Sequence, residues 1–296
     1  MRVAVTGASG LIGSALVSAL QDGGHEVLRF VRRSTQSAEE ISWDPAARRL
    51  DPQALADIDA VVHLAGVGVG DKRWTDSRKA AILGSRVDGT TTIAAAMAAA
   101  QPRPRVLLSA SAVGWYGDGG DRSLTEREPA GQGFLAEMVT RWEASTQAAE
   151  DAGIRVAHLR SGLVCARKGG LLGRVLPIFR LCLGGRLGSG EQYWPVISLV
   201  DEVAAIRFLL EHEVSGPVNL TAPEPVTNGE FTKILGRVLG RPTLAAVPSF
   251  ALRIALGEFA DEGVLIGQRA VPTVLLGNGF TFTHPTAEAI LRYAAG

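Results

Sequence analysis

The chain has 296 residues, of which 46% are hydrophobic, and its 30 basic residues are balanced by 30 acidic ones. This length allows one large α/β core and a smaller second lobe. The balanced charge provides no overall field that would attract nucleic acid or an anionic membrane, so we expect neither as a partner.

The two cysteines, Cys165 and Cys182, have neither CxxC spacing nor nearby histidines. This pattern disfavours a metal site and fits a reducing compartment. No basic-then-apolar signal peptide precedes the first predicted strand, and no apolar run approaches the length that spans a bilayer. We therefore expect a cytoplasmic protein.

The chain opens with a predicted buried strand, a glycine-rich turn and a helix. Arg2–Thr6 is apolar and β-rich, Gly7–Gly13 has the spacing Gly-x-x-Gly-x-x-Gly, and apolar residues recur at helical spacing over Leu11–Gln21. Glycines at this spacing let the backbone approach a pyrophosphate and let the helix pack close to the sheet, with free helix N–H groups facing the phosphates. The pattern therefore predicts a dinucleotide cradle. We expect these cradle residues to contact the cofactor: Gly7, Ser9, Gly10, Leu11, Ile12 and Gly13.

Strands and helices alternate over the next part of the chain. The predicted strands are Glu26–Val31, Asp59–Gly66, Arg105–Ser109 and Arg155–Arg160, and the predicted helices are Asp76–Ala100 and Gly133–Asp151. Such alternation implies an α/β fold with a doubly wound parallel sheet, the Rossmann fold.

Beyond Gly162 the chain becomes rich in glycine, which is typical of a loop-rich substrate lobe. Asp201–Glu213 is predicted as an amphipathic helix and Pro217–Leu220 as a strand that returns to the main sheet. The spacing Thr227-Asn228-Gly229-Glu230 is that of a capping box at the head of a helix ending at Gly240. We therefore expect a dinucleotide-binding domain over 1–163 with 196–222 returning to it, and a smaller C-terminal substrate lobe over 164–195 and 223–296.

The residue type at the end of the second predicted strand distinguishes NAD from NADP as the expected cofactor. An acidic residue there binds the ribose 2′-hydroxyl of NAD, whereas an arginine accommodates the 2′-phosphate of NADP. The strand ends in Val31-Arg32-Arg33, and no carboxylate occurs before Glu39. We therefore expect NADP(H), held at its phosphate by Arg32. Leu64, Ala65 and Gly66, after the third strand, are expected to pass beneath the adenine side.

Four motifs resemble the extended short-chain dehydrogenase/reductases: Gly7-x-x-Gly10-x-x-Gly13, His63-Leu64-Ala65-Gly66, Ser109-Ala110-Ser111 and Arg160-Ser161-Gly162. A second set is similar to one epimerase-family subgroup that ends in a domain of unknown function, here about 246–293. This set comprises Trp43-Asp44-Pro45, Arg73-Trp74, Gly84-Ser85-Arg86, Phe134-Leu135-Ala136-Glu137, Trp142-Glu143, Leu183-Gly184-Gly185 and the tail from Gly257 to Phe282. The resemblance implies a Rossmann fold that binds NADP. Leu163, directly after the fourth motif, is also expected to contact the cofactor.

The resemblance implies a catalytic Tyr, Lys, Ser and Asn, of which the chain keeps only the serine, Ser111. Phe134-Leu135-Ala136-Glu137-Met138 stands where the Tyr-x-x-x-Lys motif belongs, and Arg86 replaces the asparagine. We expect Arg86 to contact cofactor phosphate or ribose. Tyr116 is the candidate substitute acid, with packing inside a glycine-flanked loop as the alternative.

Three further charged residues are candidates for a site, with ordinary surface roles as the alternative. Glu137 is a second candidate acid, and Lys72 with Arg73 would bind an anionic substrate group if they are more than a charged loop.

Three functions fit these residues. The first is an NADP(H)-dependent oxidoreductase or epimerase acting on an unidentified small carbonyl or sugar-like molecule. The second is a non-catalytic NADP(H)-binding or redox-sensing module, favoured by the absent Tyr-x-x-x-Lys motif. The third is a sugar-nucleotide epimerase that uses NAD, against which Arg32 argues. A homodimer through helices of the main domain is left open.

Overall fold

The structure is a computed structural model that describes residues 1–295. Its strands form one central sheet and several two-stranded sheets. The strands are β1 Arg2–Thr6, β2 Glu26–Val31, β3 Glu40–Ser42, β4 Ala60–His63, β5 Val106–Ala112, β6 Ser123–Leu124, β7 Arg155–Ser161, β8 Leu163–Cys165, β9 Gly185–Leu187, β10 Tyr193–Trp194, β11 Val196–Ser198, β12 Gly216–Leu220, β13 Val226–Thr227, β14 Ala245–Val247 and β15 Arg269–Ala270.

Helices connect and cover these strands. They are α1 Leu11–Asp22, α2 Asp76–Ala99, α3 Phe134–Ala144, α4 Gln147–Asp151, α5 Gly170–Arg180, α6 Leu199–Glu211, α7 Asn228–Leu239, α8 Ser249–Leu256, α9 Thr273–Gly277 and α10 Ala287–Ala295. No helix within residues 1–295 combines the length and the apolar composition that a bilayer crossing requires.

The central sheet has seven strands in the order β12-β7-β5-β4-β1-β2-β3. Neighbouring strands from β3 to β5 pair in parallel, with Val3 opposite Val27 on one side and Ala60 on the other. Helices follow the strands in chain order, as connections between parallel strands require. The predicted doubly wound parallel sheet and the return of Pro217–Leu220 to it are both confirmed.

The described chain divides into two compact units. Unit 1 comprises Met1–Ser111, Met138–Leu159 and Val203–Pro217, and unit 2 comprises Ala112–Glu137, Arg160–Glu202 and the chain from Val218 onwards. Each unit has its own apolar core. The core of unit 1 includes Ala4, Leu28, Phe30, Ile41, Trp43, Val61, Ile93, Met97 and Leu107. The core of unit 2 includes Cys165, Leu172, Leu176, Phe179, Trp194, Phe231, Leu235, Ile290 and Leu291.

One predicted helix and one strand that was not predicted distinguish the structure from the expectation. The predicted helix Gly133–Asp151 breaks into α3 and α4, because Thr146 Oγ1 donates to the Glu143 carbonyl at 2.8 Å and the Thr146 N–H bonds the same carbonyl at 3.2 Å. Hydroxyl back-bonding of this kind competes with the helical ladder. The strand β3 was not predicted, since its three residues follow a polar stretch and are too few to show a period.

The capping box of α7 is confirmed. The Glu230 N–H bonds Thr227 Oγ1 at 3.2 Å, and the Thr227 N–H bonds Glu230 Oε2 at 2.8 Å. At the other end Gly240 adopts the left-handed conformation, with φ 61°. Both ends of α7 are therefore fixed by local chemistry that the sequence shows directly.

We expect Thr227→Ala to lower the free energy of unfolding by about 1 kcal/mol, because the first turn of α7 loses its side-chain acceptor. Urea unfolding followed by circular dichroism measures this loss. The control is Lys233→Ala, an exposed position of the same helix, which is expected to change stability by less than about 0.5 kcal/mol. Equal effects of the two substitutions would contradict the role of the capping box.

Candidate functional site

Unit 1 contains a cavity of about 1230 Å³ at the carboxyl ends of β1, β2 and β4. Ligands of open α/β sheets bind at this edge, where loops leave the strands. Its walls come from the turn after β1 with one face of α1, the end of β2 with β3 and the residues that follow it, the loop after β4, and part of α2. The residues concerned include Gly7, Ser9, Gly10, Arg29, Arg32, Arg33, Glu40, Trp43, Leu64, Ala65, Gly66, Val67, Ser85 and Asp88.

The glycine turn is packed too tightly for side chains. Gly7 has φ +66°, and a Cβ there would lie 2.9 Å from the Leu64 carbonyl carbon. A Cβ on Gly13 would lie 2.2 Å from the Gly7 carbonyl oxygen, so α1 packs directly on the turn. Glycine at these two positions is therefore required by the close approach of backbone to backbone.

The first turn of α1 lacks any side-chain cap. Gly10 is the N-cap residue and no acidic residue stands in the first turn. The N–H groups of a first helical turn have no partner within the helix, and they carry the positive end of its dipole. This end of the cavity is thus suited to an anion such as a pyrophosphate.

Of the six predicted cradle residues, only half line the cavity. Gly7, Ser9 and Gly10 form part of its wall, whereas Leu11, Ile12 and Gly13 build the first turn of α1 behind it. Their contacts with a cofactor remain predictions.

Thr6 and His63 tie the ends of β1 and β4 together. Thr6 Oγ1 accepts hydrogen bonds from the Leu64 and Ala65 N–H groups at 2.9 and 3.1 Å and lies 2.8 Å from His63 Nδ1. With both lone pairs occupied, the hydroxyl donates its proton to Nδ1, which fixes neutral His63 as the Nε2–H tautomer. Burial lowers the pKa of His63 to about 4.

A carboxylate in the cavity wall near the end of β2 would repel a phosphate unless a cation is paired with it. Glu40, in β3, lines the cavity and was not considered as a site residue from the sequence, because β3 was not predicted. Arg33 binds it through two bonds of 2.7 and 2.8 Å, and this contact lowers the pKa of Glu40 to about 2. Arg32 is exposed at the cavity wall and has no hydrogen-bond or ion-pair partner among residues 1–295.

The loop after β4 is held by side chains of α2 and of Trp74. Arg86 donates to the Val67 carbonyl at 2.8 Å, Arg78 to the Gly68 carbonyl at 2.6 Å, and the Trp74 indole to the Val69 carbonyl at 2.9 Å. Predicted site residues Leu64, Ala65 and Gly66 line the cavity. Arg86 does not line it and lies behind Gly66, and its contact with a cofactor remains a prediction.

Ser111 has a partner that sequence reasoning did not assign. It lies on β5, as predicted, and its hydroxyl donates to Glu143 Oε1 on α3 at 2.5 Å. Both residues are buried. A serine proton held by a carboxylate can pass to it, so this pair is the candidate acid–base group of unit 1.

Tyr116 and Leu163 belong to unit 2. The Tyr116 hydroxyl donates to Asn219 Oδ1 at 2.7 Å, accepts from Arg160 Nη1 at 3.2 Å, and its residue is only 3% exposed. Burial raises the pKa of Tyr116, and Arg160 offsets part of this effect. A substitute acid would have to exchange these bonds, so that role of Tyr116 stays a prediction. Leu163 opens β8 and packs against the core of unit 2.

The other candidate side chains lie at the surface. Glu137 is exposed on α3, and Lys72 and Arg73 are exposed in the segment before α2. Their proposed roles also remain predictions.

Two family models match the chain. Residues 3–221 match the NAD dependent epimerase/dehydratase family, and residues 247–294 match a domain of unknown function, DUF1731. The predicted resemblance to an epimerase-family subgroup with this C-terminal domain is therefore confirmed.

Relatives match over nearly the full length. An epimerase family protein of Mycobacterium leprae is 49% identical over 293 residues, covering 99% of this chain and 95% of that protein. The epimerase family protein YfhF of Bacillus subtilis is 34% identical and covers 98% and 97%. A crystal structure of the human epimerase family protein SDR39U1 with NADPH matches with a TM-score of 0.91 at 34% identity, covering 100% of this chain and 99% of that one.

We expect His63 to make the stability of the protein depend on pH. Its folded pKa of about 4 lies below the unfolded value near 6.5, so the unfolded state binds more protons between these values and stability falls as pH falls. The free energy of unfolding of wild type, measured relative to that of His63→Phe, should fall by about 3 kcal/mol from pH 7 to pH 4. Urea unfolding of both proteins across this range measures it. Parallel curves would contradict a neutral buried imidazole.

Proposed function

This chain belongs to the NAD dependent epimerase/dehydratase family, and we propose that it is an NADP(H)-dependent oxidoreductase or epimerase-like enzyme acting on a small carbonyl or sugar-like substrate. The observation that carries the proposal is that one cavity has two groups suited to phosphates. Arg32, which has no partner within residues 1–295, lies in its wall, and the uncapped N-terminus of α1 lies beside the glycine turn.

The shape of the cavity fits a dinucleotide. Gly7 and Gly13 let the turn after β1 and the start of α1 pack backbone against backbone, with Gly7 and Gly10 in the cavity wall. A diphosphate is the group that such an arrangement suits. Gly7, Ser9 and Gly10 would hold it, and Leu64, Ala65 and Gly66 would form the wall of the adenosine side.

The charge at the end of β2 fits NADP(H) better than NAD(H). The carboxylate that would bind a free ribose 2′-hydroxyl, Glu40, is already engaged by Arg33. Arg32 therefore remains available to a 2′-phosphate, for which a guanidinium provides a planar set of donors. The NADPH in the structure of human SDR39U1, a full-length relative, supports the same choice.

NADPH, when bound, supplies a hydride to an electrophilic carbon such as that of a carbonyl group. The accompanying proton transfer falls to Ser111 and Glu143. With the Ser111 proton directed at the carboxylate, Ser111 Oγ can receive a proton from a substrate alcohol while its own proton passes to Glu143. In the reductive direction both transfers reverse, and protonated Glu143 restores the proton that Ser111 gives to the substrate oxygen.

One observation favours a second function, a non-catalytic NADP(H)-binding module. The Tyr-x-x-x-Lys motif is absent, and the phenol proposed as its substitute is buried with both a donor and an acceptor partner. Under this function Ser111 and Glu143 form a structural bond. Turnover distinguishes the two functions, since both include binding of the cofactor.

We expect NADPH to raise the melting temperature and NADH to do so only at much higher concentration. Ligand at a hundred times its Kd adds about 2.7 kcal/mol. Arg32→Ala should weaken NADPH binding by about tenfold or more, because hydrogen bonds to charged groups contribute about 1.5–3 kcal/mol. NADH binding should change by less than about twofold. Isothermal titration calorimetry measures both.

The matched control for this experiment is Arg127→Ala. Arg127 is exposed, forms no hydrogen bond or ion pair with another residue of the described range 1–295, and does not line the cavity. Equal loss of NADPH affinity in both variants, or no loss in either, would contradict the assignment of the 2′-phosphate to Arg32.

We expect Ser111→Ala and Glu143→Gln each to lower NADPH oxidation with a responsive carbonyl substrate by about 10²–10⁴-fold, the usual contribution of a positioned acid or base. NADPH affinity should stay within about twofold of wild type. Loss of NADPH absorbance across a panel of carbonyl compounds measures turnover, with Ser145→Ala on the neighbouring segment as the control. NADPH binding by the wild type without turnover of any panel member would favour the non-catalytic module.

A further inference from the structure

A second cavity, of about 870 Å³, lies along α7 in unit 2. Its lining residues all fall within 226–243, from β13 through one face of α7 to the segment after this helix, and we call it the α7 groove. It shares no lining residue with the cavity of unit 1. The range 226–243 also lies between the two matched family regions, 3–221 and 247–294, so neither family model covers the groove.

A glycine allows the wall of the α7 groove to form. The segment after α7 returns to the helix, where the Arg241 N–H bonds the Gly236 carbonyl at 2.8 Å. A Cβ on Gly236 would lie 2.4 Å from Thr243 Cγ2 and 2.9 Å from the Arg241 carbonyl oxygen. The approach of this segment to α7 therefore requires a residue without a side chain at position 236.

Three cations line the α7 groove: Lys233, Arg237 and Arg241. All three are exposed. Within residues 1–295 the side chains of Lys233 and Arg241 form no hydrogen bond or ion pair. Arg237 Nη2 lies 3.9 Å from Glu288 Oε2, and Arg292 binds the same carboxylate more closely, at 2.6 Å. The positive charge of the groove is therefore largely without protein partners.

The one carboxylate of the groove lining does not balance this charge. Glu230 Oε2 accepts the N–H and the hydroxyl of Thr227 at 2.8 and 2.9 Å, so the carboxylate is held in the capping box of α7. From 231 to 257 the chain contains four basic residues and no acidic one. A protein whose overall charge is zero thus concentrates positive charge along this groove.

The stability of α7 does not explain these cations. Lys233 and Arg237 are four residues apart, and like charges at this spacing destabilise a helix. The helix dipole favours cations in the last turn, which includes Arg237 and excludes Lys233. The groove also has an apolar side, formed by Val226, Ile234 and Pro242. Unpaired cations beside a partly apolar concave surface are features of a site for an organic anion.

We propose that the α7 groove binds an organic anion with two or more negative charges, such as a phosphate monoester. Arg237 and Arg241 offer planar sets of donors to the phosphate oxygens, and Lys233 adds a point charge. The apolar side of the groove contacts the organic part of the ligand. The site is independent of the proposed function, since it needs neither NADPH nor the cavity of unit 1.

The experiment titrates full-length protein with hexyl phosphate, hexyl sulfate and inorganic phosphate at constant ionic strength, above the second phosphate pKa of about 6. The readout is the backbone amide resonances of residues 226–243 in ¹H–¹⁵N NMR spectra. We expect hexyl phosphate to shift them saturably. Hexyl sulfate should bind at least about threefold more weakly because it carries one charge fewer. Inorganic phosphate should also bind at least about threefold more weakly, because it lacks the apolar chain.

Variants test which cations bind the anion. Arg237→Gln and Arg241→Gln should each weaken hexyl phosphate binding about three- to tenfold, because each removes a charged donor. The matched control is Arg127→Gln, an exposed arginine of unit 2 outside the groove, which should bind as wild type does. All three side chains are exposed, so the melting temperatures of the unliganded variants should stay close to that of wild type.

The proposal is overturned if hexyl phosphate shifts no resonance of 226–243 saturably, or if the two groove variants bind it as tightly as Arg127→Gln does. Equal affinity for hexyl phosphate and either of the other two anions would also overturn it, because the charge or the apolar side would then play no part. Shifts confined to the glycine turn after β1 would place the anion in the cavity of unit 1 and contradict the α7 groove.

Discussion

The approach of two backbone segments, the turn after β1 and the loop after β4, is the constraint on which the candidate site depends. A Cβ on Gly7 would meet the Leu64 carbonyl carbon at 2.9 Å, so the contact exists only because that side chain is missing. Thr6 then joins the segments by accepting two N–H groups from the β4 side while donating to His63. The Thr6 hydroxyl can donate to His63 Nδ1 only if the imidazole is neutral. Burial in the low dielectric of the core favours that neutral form, so the same burial helps to hold the two segments together.

Two arginines of unit 1, Arg32 and Arg86, differ in how far water reaches their charge. Arg32 is exposed, where solvation makes an unpartnered cation inexpensive, and its neighbour Arg33 binds Glu40, a carboxylate of the same cavity wall. Arg86 is buried and has no carboxylate partner among residues 1–295, but it donates to the Val67 and Ile82 carbonyls and lies over the Trp142 ring. Carbonyl acceptors and the face of an aromatic ring both stabilise a guanidinium that water does not reach.

In unit 2 the candidate acid Tyr116 is held in a buried hydrogen-bond network. Tyr116 lies in a network with Arg160 and Asn219, and the buried Glu126 accepts from the Asn219 and Val274 N–H groups in the same unit. Polar groups that satisfy one another in a buried network resist exchange with a ligand. The Ser111 hydroxyl instead donates to a carboxylate, which can accept its proton, and for this reason the Ser111–Glu143 pair carries the proposed proton transfer in place of the phenol.

The sequence by itself determined the parallel sheet, the glycine turn and the capped helix α7, because each depends on local periodicity, on residues without a Cβ or on hydrogen bonds three residues apart. Its resemblance to a known family also fixed the expected cofactor class. Only the tertiary structure decided that Glu40 forms an ion pair with Arg33, that Ser111 bonds Glu143, and that Arg86 is buried over the Trp142 ring. These contacts join residues from different elements, and their distances and burial are set by packing, which no local pattern in the chain records.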